Sequence, residues 1–134
     1  EALFKAVGYL HSHRVVHRDL TPANVLVSYD LDDIRIIDFN AACVLSSLPH
    51  LVEPLTPLGP TLYSPPEVIA GEVPAEMSDV WSAGLCFYLL LSGRLPQHRG
   101  DLGHTYPRKR FVEVAMQRIE LDGSCWQHVS EDCK

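Results

Sequence analysis

Leu3, Ala6, Val7 and Leu10 recur at three- and four-residue steps, which places them on one face of a helix that stops near His13. The chain therefore opens with an amphipathic helix. Val15 and Val16 are too few for more than a short bridge, and residues 17–24 mix charge, proline and amide without a period, as an ordered loop does. Two short β-branched runs follow, residues 25–27 and 34–37, separated by Ser28-Tyr29-Asp30-Leu31-Asp32-Asp33. That polar turn chemistry predicts a hairpin whose second strand runs out at Asp38.

Residues 40–66 carry six prolines and no helical period, and a loop of that length in a compact domain is usually functional. Pro65 or Pro66 opens a short helix through Ile69, which Gly71 stops. Ser78 or Glu76 leads into residues 79–91, apolar nearly all round, a pattern that predicts a helix enclosed on every side. Gly93 and Pro96 end it. Residues 97–110 read as a loop, Phe111, Val114, Ala115 and Ile119 have helical spacing, and a last helix is expected to start at Ser130. The fold class expected is mainly α with a small β-hairpin.

At 134 residues the chain is long enough for one domain, or one lobe of a larger one, and too short for two independent cores. A formal charge of -6 repels a phosphate backbone, so no nucleic acid is expected as partner. The longest apolar stretch, residues 83–91, is about half of a bilayer crossing, so no membrane span is expected either. No basic leader or cleavage pattern precedes the first helix and the chain opens without a methionine, which reads as a piece of a longer protein. Cys43, Cys86, Cys125 and Cys133 form no C-x-x-C pair, and the first two lie among apolar neighbours. Buried free thiols suit an intracellular, cytoplasmic compartment.

The chemistry concentrates in His17-Arg18-Asp19-Leu20-Thr21-Pro22-Ala23-Asn24 and in Asp38-Phe39. An antiparallel hairpin returns the chain to its starting end, so Asn24 and Asp38 are expected to approach each other although fourteen residues separate them. Hard oxygen donors of this kind suit Mg²⁺, which takes one or two carboxylates together with water and phosphate oxygens. Asp19 beside them is left to act as a base. His11 and His13, on alternate residues at a helix end, do not meet on one face and suggest no zinc site. Arg108-Lys109-Arg110 reads as a solvated, peptide-contacting surface.

These residues resemble the catalytic loop and metal-binding segment of the eukaryotic protein kinases, and further landmarks follow in the family's order. Tyr9-Leu10-His11-Ser12-His13-Arg14-Val15-Val16 is similar to the helix and strand before that loop. Residues 59–67, G-P-T-L-Y-S-P-P-E, resemble the substrate-binding loop and its closing Ala-Pro-Glu. Ser78-Asp79-Val80-Trp81-Ser82-Ala83-Gly84 resembles the central helix of the large lobe, and Leu91-Ser92-Gly93-Arg94-Leu95-Pro96 its exit. Trp126-Gln127-His128-Val129-Ser130 is similar to the approach to the next helix in calcium/calmodulin-dependent-type kinases. The resemblance implies that residues 1–134 form a partial protein kinase domain, the C-terminal large lobe without its N-terminal lobe. Within it the catalytic loop would be residues 17–24, the metal segment 38–40, the activation and substrate loop 41–67 and the central helix about 76–92.

Carried over to this chain, the resemblance implies serine/threonine phosphorylation with ATP and Mg²⁺. Serine/threonine is preferred to tyrosine because Pro22 follows Leu20-Thr21 and residues 59–67 lack a tyrosine-kinase pattern. Asp19 would accept the substrate hydroxyl proton, Asn24 and Asp38 would hold the metal, and Asn24, Asp38 and Thr21 would make up the cofactor-binding set. Arg18 and Thr56 would be regulatory, an arginine pairing with a phosphorylated loop residue. Asp79 would fix the loop from the central helix, His17 would support it by packing, and Glu67 would pair with an arginine in a later helix. The implied partners are a protein substrate and the chain's own N-terminal lobe.

The chain departs from the family at three places. Thr21 stands where serine/threonine kinases carry a lysine, and Ala23 offers no substitute; losing one preorganised transition-state contact costs about 3–4 kcal/mol. Asn40 replaces the usual glycine, and asparagine is expected to tolerate the positive φ there. Pro60 stands in place of a threonine, with Thr61 one residue on. These departures motivate the rival reading, a pseudokinase or scaffold with weak or no catalysis.

Overall fold

The amphipathic opening forms helix α1 (Ala2–Ser12) in a computed structural model that describes residues 1–30, 32–45, 62–96, 121 and 124–130. The Val7 side chain, 2% exposed, is the buried point of its apolar face; it packs with Leu20 and Ala83, and Leu3 and Ile36 close over the cluster. After His13 the chain turns through Arg14 at φ 58, a left-handed conformation uncommon outside glycine. The Arg14 Nε–H then donates to the Leu45 carbonyl at 2.9 Å.

Among the described residues, four short strands make two separate antiparallel pairs. They are β1 (Val15–Val16), β2 (Val25–Val27), β3 (Ile34–Ile36) and β4 (Cys43–Val44). In the first pair Val15 faces Val44 and Val16 faces Cys43; in the second Val25 faces Ile36 and Val27 faces Ile34. The hairpin is where the β-branched runs predict it. Its turn is tied by the Ser28 N–H to the Asp33 carbonyl and by the Asp33 N–H to Ser28 Oγ, each at 2.9 Å. The Ser28 hydroxyl also donates to Asp30, holding that carboxyl below the ordinary carboxylate range. Strand β4 corrects the expectation of an unbroken loop over residues 40–66. Two residues are too few to show a period, and their pairing is decided by β1, remote in sequence.

Helix α2 (Pro66–Ala70) begins with the proline the sequence offers and stops at Gly71, whose φ of 101 suits glycine alone. Helix α3 (Glu76–Ser92) opens with the Ala75 N–H donating to Ser78 Oγ at 3.1 Å, half of a capping box. It closes at Gly93, φ 72, whose N–H reaches the Leu89 carbonyl at 2.8 Å. Ala83, Leu85, Cys86 and Tyr88 are buried, but Leu90 is 76% and Met77 67% exposed. The helix is therefore not enclosed on every side, as its composition suggested. Burial follows its neighbours: α1 and β1 on one flank, and on another Trp126 and Val129, with the Trp126 ring edge-on to Tyr88 at 4.9 Å. The loop expected at residues 97–110, the helix expected from Phe111 and any helix beyond Ser130 fall outside the described residues.

Cys43 and Cys86 are free thiols. Burial pushes the Cys86 thiol up from 9.0 to about 11. The folded state thus favours the neutral thiol, and unfolding releases it to ionise at its ordinary value. Its contribution to stability is complete below pH 9.0 and is lost as pH rises toward about 11. Urea midpoints measured across that window should fall, and fall less in Cys86→Ala; identical slopes in the two proteins would contradict the assignment.

Candidate active site

One buried carboxylate organises the loop of residues 17–24. Asp79, 1% exposed on α3, accepts the His17 N–H on Oδ2 at 2.8 Å and the Arg18 N–H on Oδ1 at 2.9 Å. His11 Nε2–H donates to Oδ2 at 3.0 Å. Hydrogen bonds to a charged acceptor contribute roughly 1.5–3 kcal/mol each, so three of them outweigh the conformational cost at Arg18, which lies in the left-handed region at φ 66. With the chain turned there, consecutive N–H groups converge on one anion. The Arg18 guanidinium Nε–H reaches forward to the Ala41 carbonyl.

His17 is fully buried and joins the loop to the hairpin end. The Ile37 carbonyl, which can only accept, lies 3.0 Å from Nε2, so Nε2 carries the proton and Nδ1 accepts the Asp19 N–H at 3.3 Å. Phe39 packs edge-on against the ring at 4.8 Å. Leu20, 1% exposed, anchors the middle of the loop in the core.

Asp19 and Asn24, both half-buried, touch directly. Asn24 Nδ2 donates to the Asp19 carbonyl at 2.8 Å and leans on its Oδ2 at 3.4 Å. The hairpin brings the other end of the chain alongside: the Ile37 N–H donates to the Asn24 carbonyl at 2.9 Å, one residue before Asp38. The Asp38 side chain, however, is engaged with Asn40, whose Nδ2 and N–H donate to Oδ1 at 2.7 and 3.4 Å. The left-handed residue here is Asp38, at φ 63, while Asn40 lies inside the 3-10 turn Phe39–Ala41. This corrects the expectation that Asn40 would take the positive φ. The Asp38 carboxylate caps that turn, so the conformational demand falls two residues earlier.

Among the described residues no donor reaches Asp19 Oδ1, Asn24 Oδ1 or Asp38 Oδ2. Two carboxylates and an amide with unengaged hard oxygens fit a divalent cation such as Mg²⁺, which leaves most of its shell to water and phosphate. No three His, Cys, Asp or Glu side chains among the described residues gather into a denser metal site.

The other expected residues are spread around this centre. Thr21 makes no side-chain cap bond to the 3-10 turn Pro22–Asn24 and lines an open groove of about 530 Å³ with Pro22, Ala23, Leu62, Tyr63 and Leu89. Tyr63 is tied to α3 through its carbonyl, which accepts from Ser82 Oγ at 2.8 Å. Glu67 sits in the first turn of α2, half-buried, and no cation reaches it among the described residues. Thr56, Pro60 and Thr61 lie outside the described residues. Sequence reading missed two participants. His11, whose sequence context suggests at most a metal ligand, lies four residues after Val7 and so on the buried face of α1. Asn40 acts through its side chain as well as its backbone, a contact no hydropathy pattern signals.

The profile of the family described as Protein kinase domain matches residues 1–134. Ribosomal protein S6 kinase alpha-4 of Mus musculus is 36% identical over 139 residues, taking in 99% of this chain and 18% of that protein. Ribosomal protein S6 kinase alpha-6 of Homo sapiens is 35% identical over 133 residues, 97% of this chain and 17% of that protein. The probable serine/threonine-protein kinase mkcD of Dictyostelium discoideum is 35% identical over 119 residues, 89% of this chain and 17% of that protein. The chain thus spans less than a fifth of the length of these relatives.

Asp79→Asn keeps the shape of the buried group but turns an NH₂ toward N–H donors. It should lower stability by about 2–4 kcal/mol, read from the urea midpoint, and amide exchange at His17 and Arg18 should accelerate with it. Unchanged exchange at those two amides would show that the carboxylate does not hold the loop.

Proposed function

The chain belongs to the protein kinase domain family, and on that premise we propose that it forms part of the large lobe of a serine/threonine protein kinase acting on protein hydroxyls. The observation that carries this reading is the pairing of Asp19 with Asn24 beside a hairpin that delivers Asp38 to the same end. Asn24 and Asp38 would hold Mg²⁺, their Oδ1 and Oδ2 respectively being oxygens that no donor reaches among the described residues. When bound, ATP would supply the transferable phosphoryl group and Mg²⁺ the positive charge that offsets it. Asp19 accepts the proton of the substrate hydroxyl on its own unengaged oxygen, as that hydroxyl oxygen bonds to phosphorus and the bond to the leaving diphosphate breaks. Thr21 contributes no positive charge, which slows such a step without removing the base or the metal ligands.

The proposed layout keeps residues 17–24 as catalytic loop, 38–40 as metal segment, 41–67 as activation and substrate loop and α3 as central helix. Its own small lobe completes the nucleotide site. His17 and Asp79 support the loop, Glu67 awaits an arginine partner, and Arg18 with Thr56 forms the regulatory pair. The calcium/calmodulin-dependent-type character is a finer part of the proposal, resting on residues 126–130, of which Trp126 and Val129 pack on Tyr88. An intracellular, cytoplasmic site of action is supported by the free Cys43 and Cys86 thiols. No helix among the described residues is long and apolar enough to cross a membrane. The relatives carry kinase names, which does not favour the pseudokinase or scaffold alternative.

The full-length protein should incorporate phosphate into serine or threonine of a protein substrate in a Mg²⁺-dependent way. Removing the base in Asp19→Asn should cost about 10²–10⁴-fold in rate, and Asp38→Asn should abolish the response to Mg²⁺. Incorporation unaffected by both substitutions would overturn the reading.

A further inference from the structure

Among the proposed site oxygens, the shortest hydrogen bond is the one Asp38 Oδ1 accepts from Asn40 Nδ2 at 2.7 Å. The Asn40 N–H leans on the same oxygen at 3.4 Å. Asp38 and Asn40 are both exposed, so packing does not force the contact. Asp38 also stands at φ 63 and ψ 70, a conformation that an aspartate holds only when local bonds favour it. A residue at position 40 without a side-chain donor would leave it the 3.4 Å contact alone.

We propose that Asn40 is a positioning residue for Asp38: its side-chain amide fixes Oδ1 and the carboxylate plane, leaving Oδ2 as the oxygen that binds a divalent cation. The proposal rests on reading Asp38 as a metal ligand. An exposed carboxylate on a free rotor must be ordered when a cation binds, whereas one already held by an amide has been ordered by folding. Being neutral, the amide orients the carboxylate without cancelling its charge. Hydrogen bonds of this outer kind to a ligating carboxylate are typically worth roughly 10–100-fold in metal affinity.

The test is made on the full-length protein with Mn²⁺ as probe, titrated by electron paramagnetic resonance in the presence of a saturating non-hydrolysable ATP analogue. Asn40→Ala removes the amide and keeps the backbone N–H. Its Mn²⁺ dissociation constant should rise roughly tenfold or more, with an unchanged circular dichroism spectrum. The KM for Mg²⁺ should rise in parallel while kcat at saturating Mg²⁺ holds, and Asn40→Gln, which retains an amide donor, should recover part of the loss. If Asn40→Ala binds Mn²⁺ as wild type does while Asp38→Asn does not bind it, the positioning role is wrong and the kinase reading stands. If Asp38→Asn also binds as wild type does, the metal-ligand reading falls and the positioning role with it.

Discussion

A carboxylate buried to 1% exposure with no lysine or arginine side chain paired to it among the described residues is stabilised by collecting hydrogen bonds, and Asp79 collects three. Two come from consecutive peptide groups of a loop that is otherwise without regular pairing at that point. The third comes from His11 on α1. The carboxylate therefore joins three pieces of chain, α1, the loop and α3, and it cannot be satisfied unless all three are in register. Desolvation makes the contact demanding in both directions: the loop is fixed because the acid would otherwise be buried unpaired, and the acid is tolerated because the loop is there.

From that anchor the rest of the site follows by short covalent and hydrogen-bonded steps. Fixing the His17 and Arg18 peptides fixes the His17 ring, whose two nitrogens then bond on opposite sides to the Ile37 carbonyl and the Asp19 N–H. Ile37 is also paired to Asn24, so loop and hairpin end are tied twice. Register matters here because a one-residue slip in β2 or β3 would exchange the faces of Val25 and Ile36 and carry Asp38 away from Asn24. The hairpin itself is thinly buried, with Leu26 52% and Val27 53% exposed. Its position is thus held by polar ties at its base together with Ile36 against the core cluster.

Periodicity carried α1, while a long apolar run carried α3 and two β-branched runs around a polar turn carried the hairpin. Short separation carried the positions of Asp19 and Asn24 as neighbours, since five residues around a proline leave little room for them to separate. Periodicity did not carry β4, where two residues have no period, nor the exposed face of α3, because the composition of a helix does not say which neighbours will cover it. His11 and Asn40 escaped for a related reason. Their partners, Asp79 and the Asp38 carboxylate, are chosen by three-dimensional convergence in the first case and by a local turn geometry in the second, and hydropathy records neither.

Charge gives the two asparagines their common logic. Asp19 and Asp38 are both acceptors of amide donors, Asn24 toward Asp19 and Asn40 toward Asp38. A lysine or arginine in either place would orient its carboxylate as well, and would also cancel the charge that a divalent cation needs. A neutral amide separates the two effects: it fixes an oxygen and leaves the formal charge where it was. The absence of a lysine at Thr21 acts in the same direction for the ligand set and in the opposite direction for a transferring phosphoryl group, which is itself anionic and is served by nearby positive charge. On the proposed reading, neutral side chains at positions 21 and 40 would leave the carboxylates their charge for a cation and would offer a transferring phosphoryl group no positive charge.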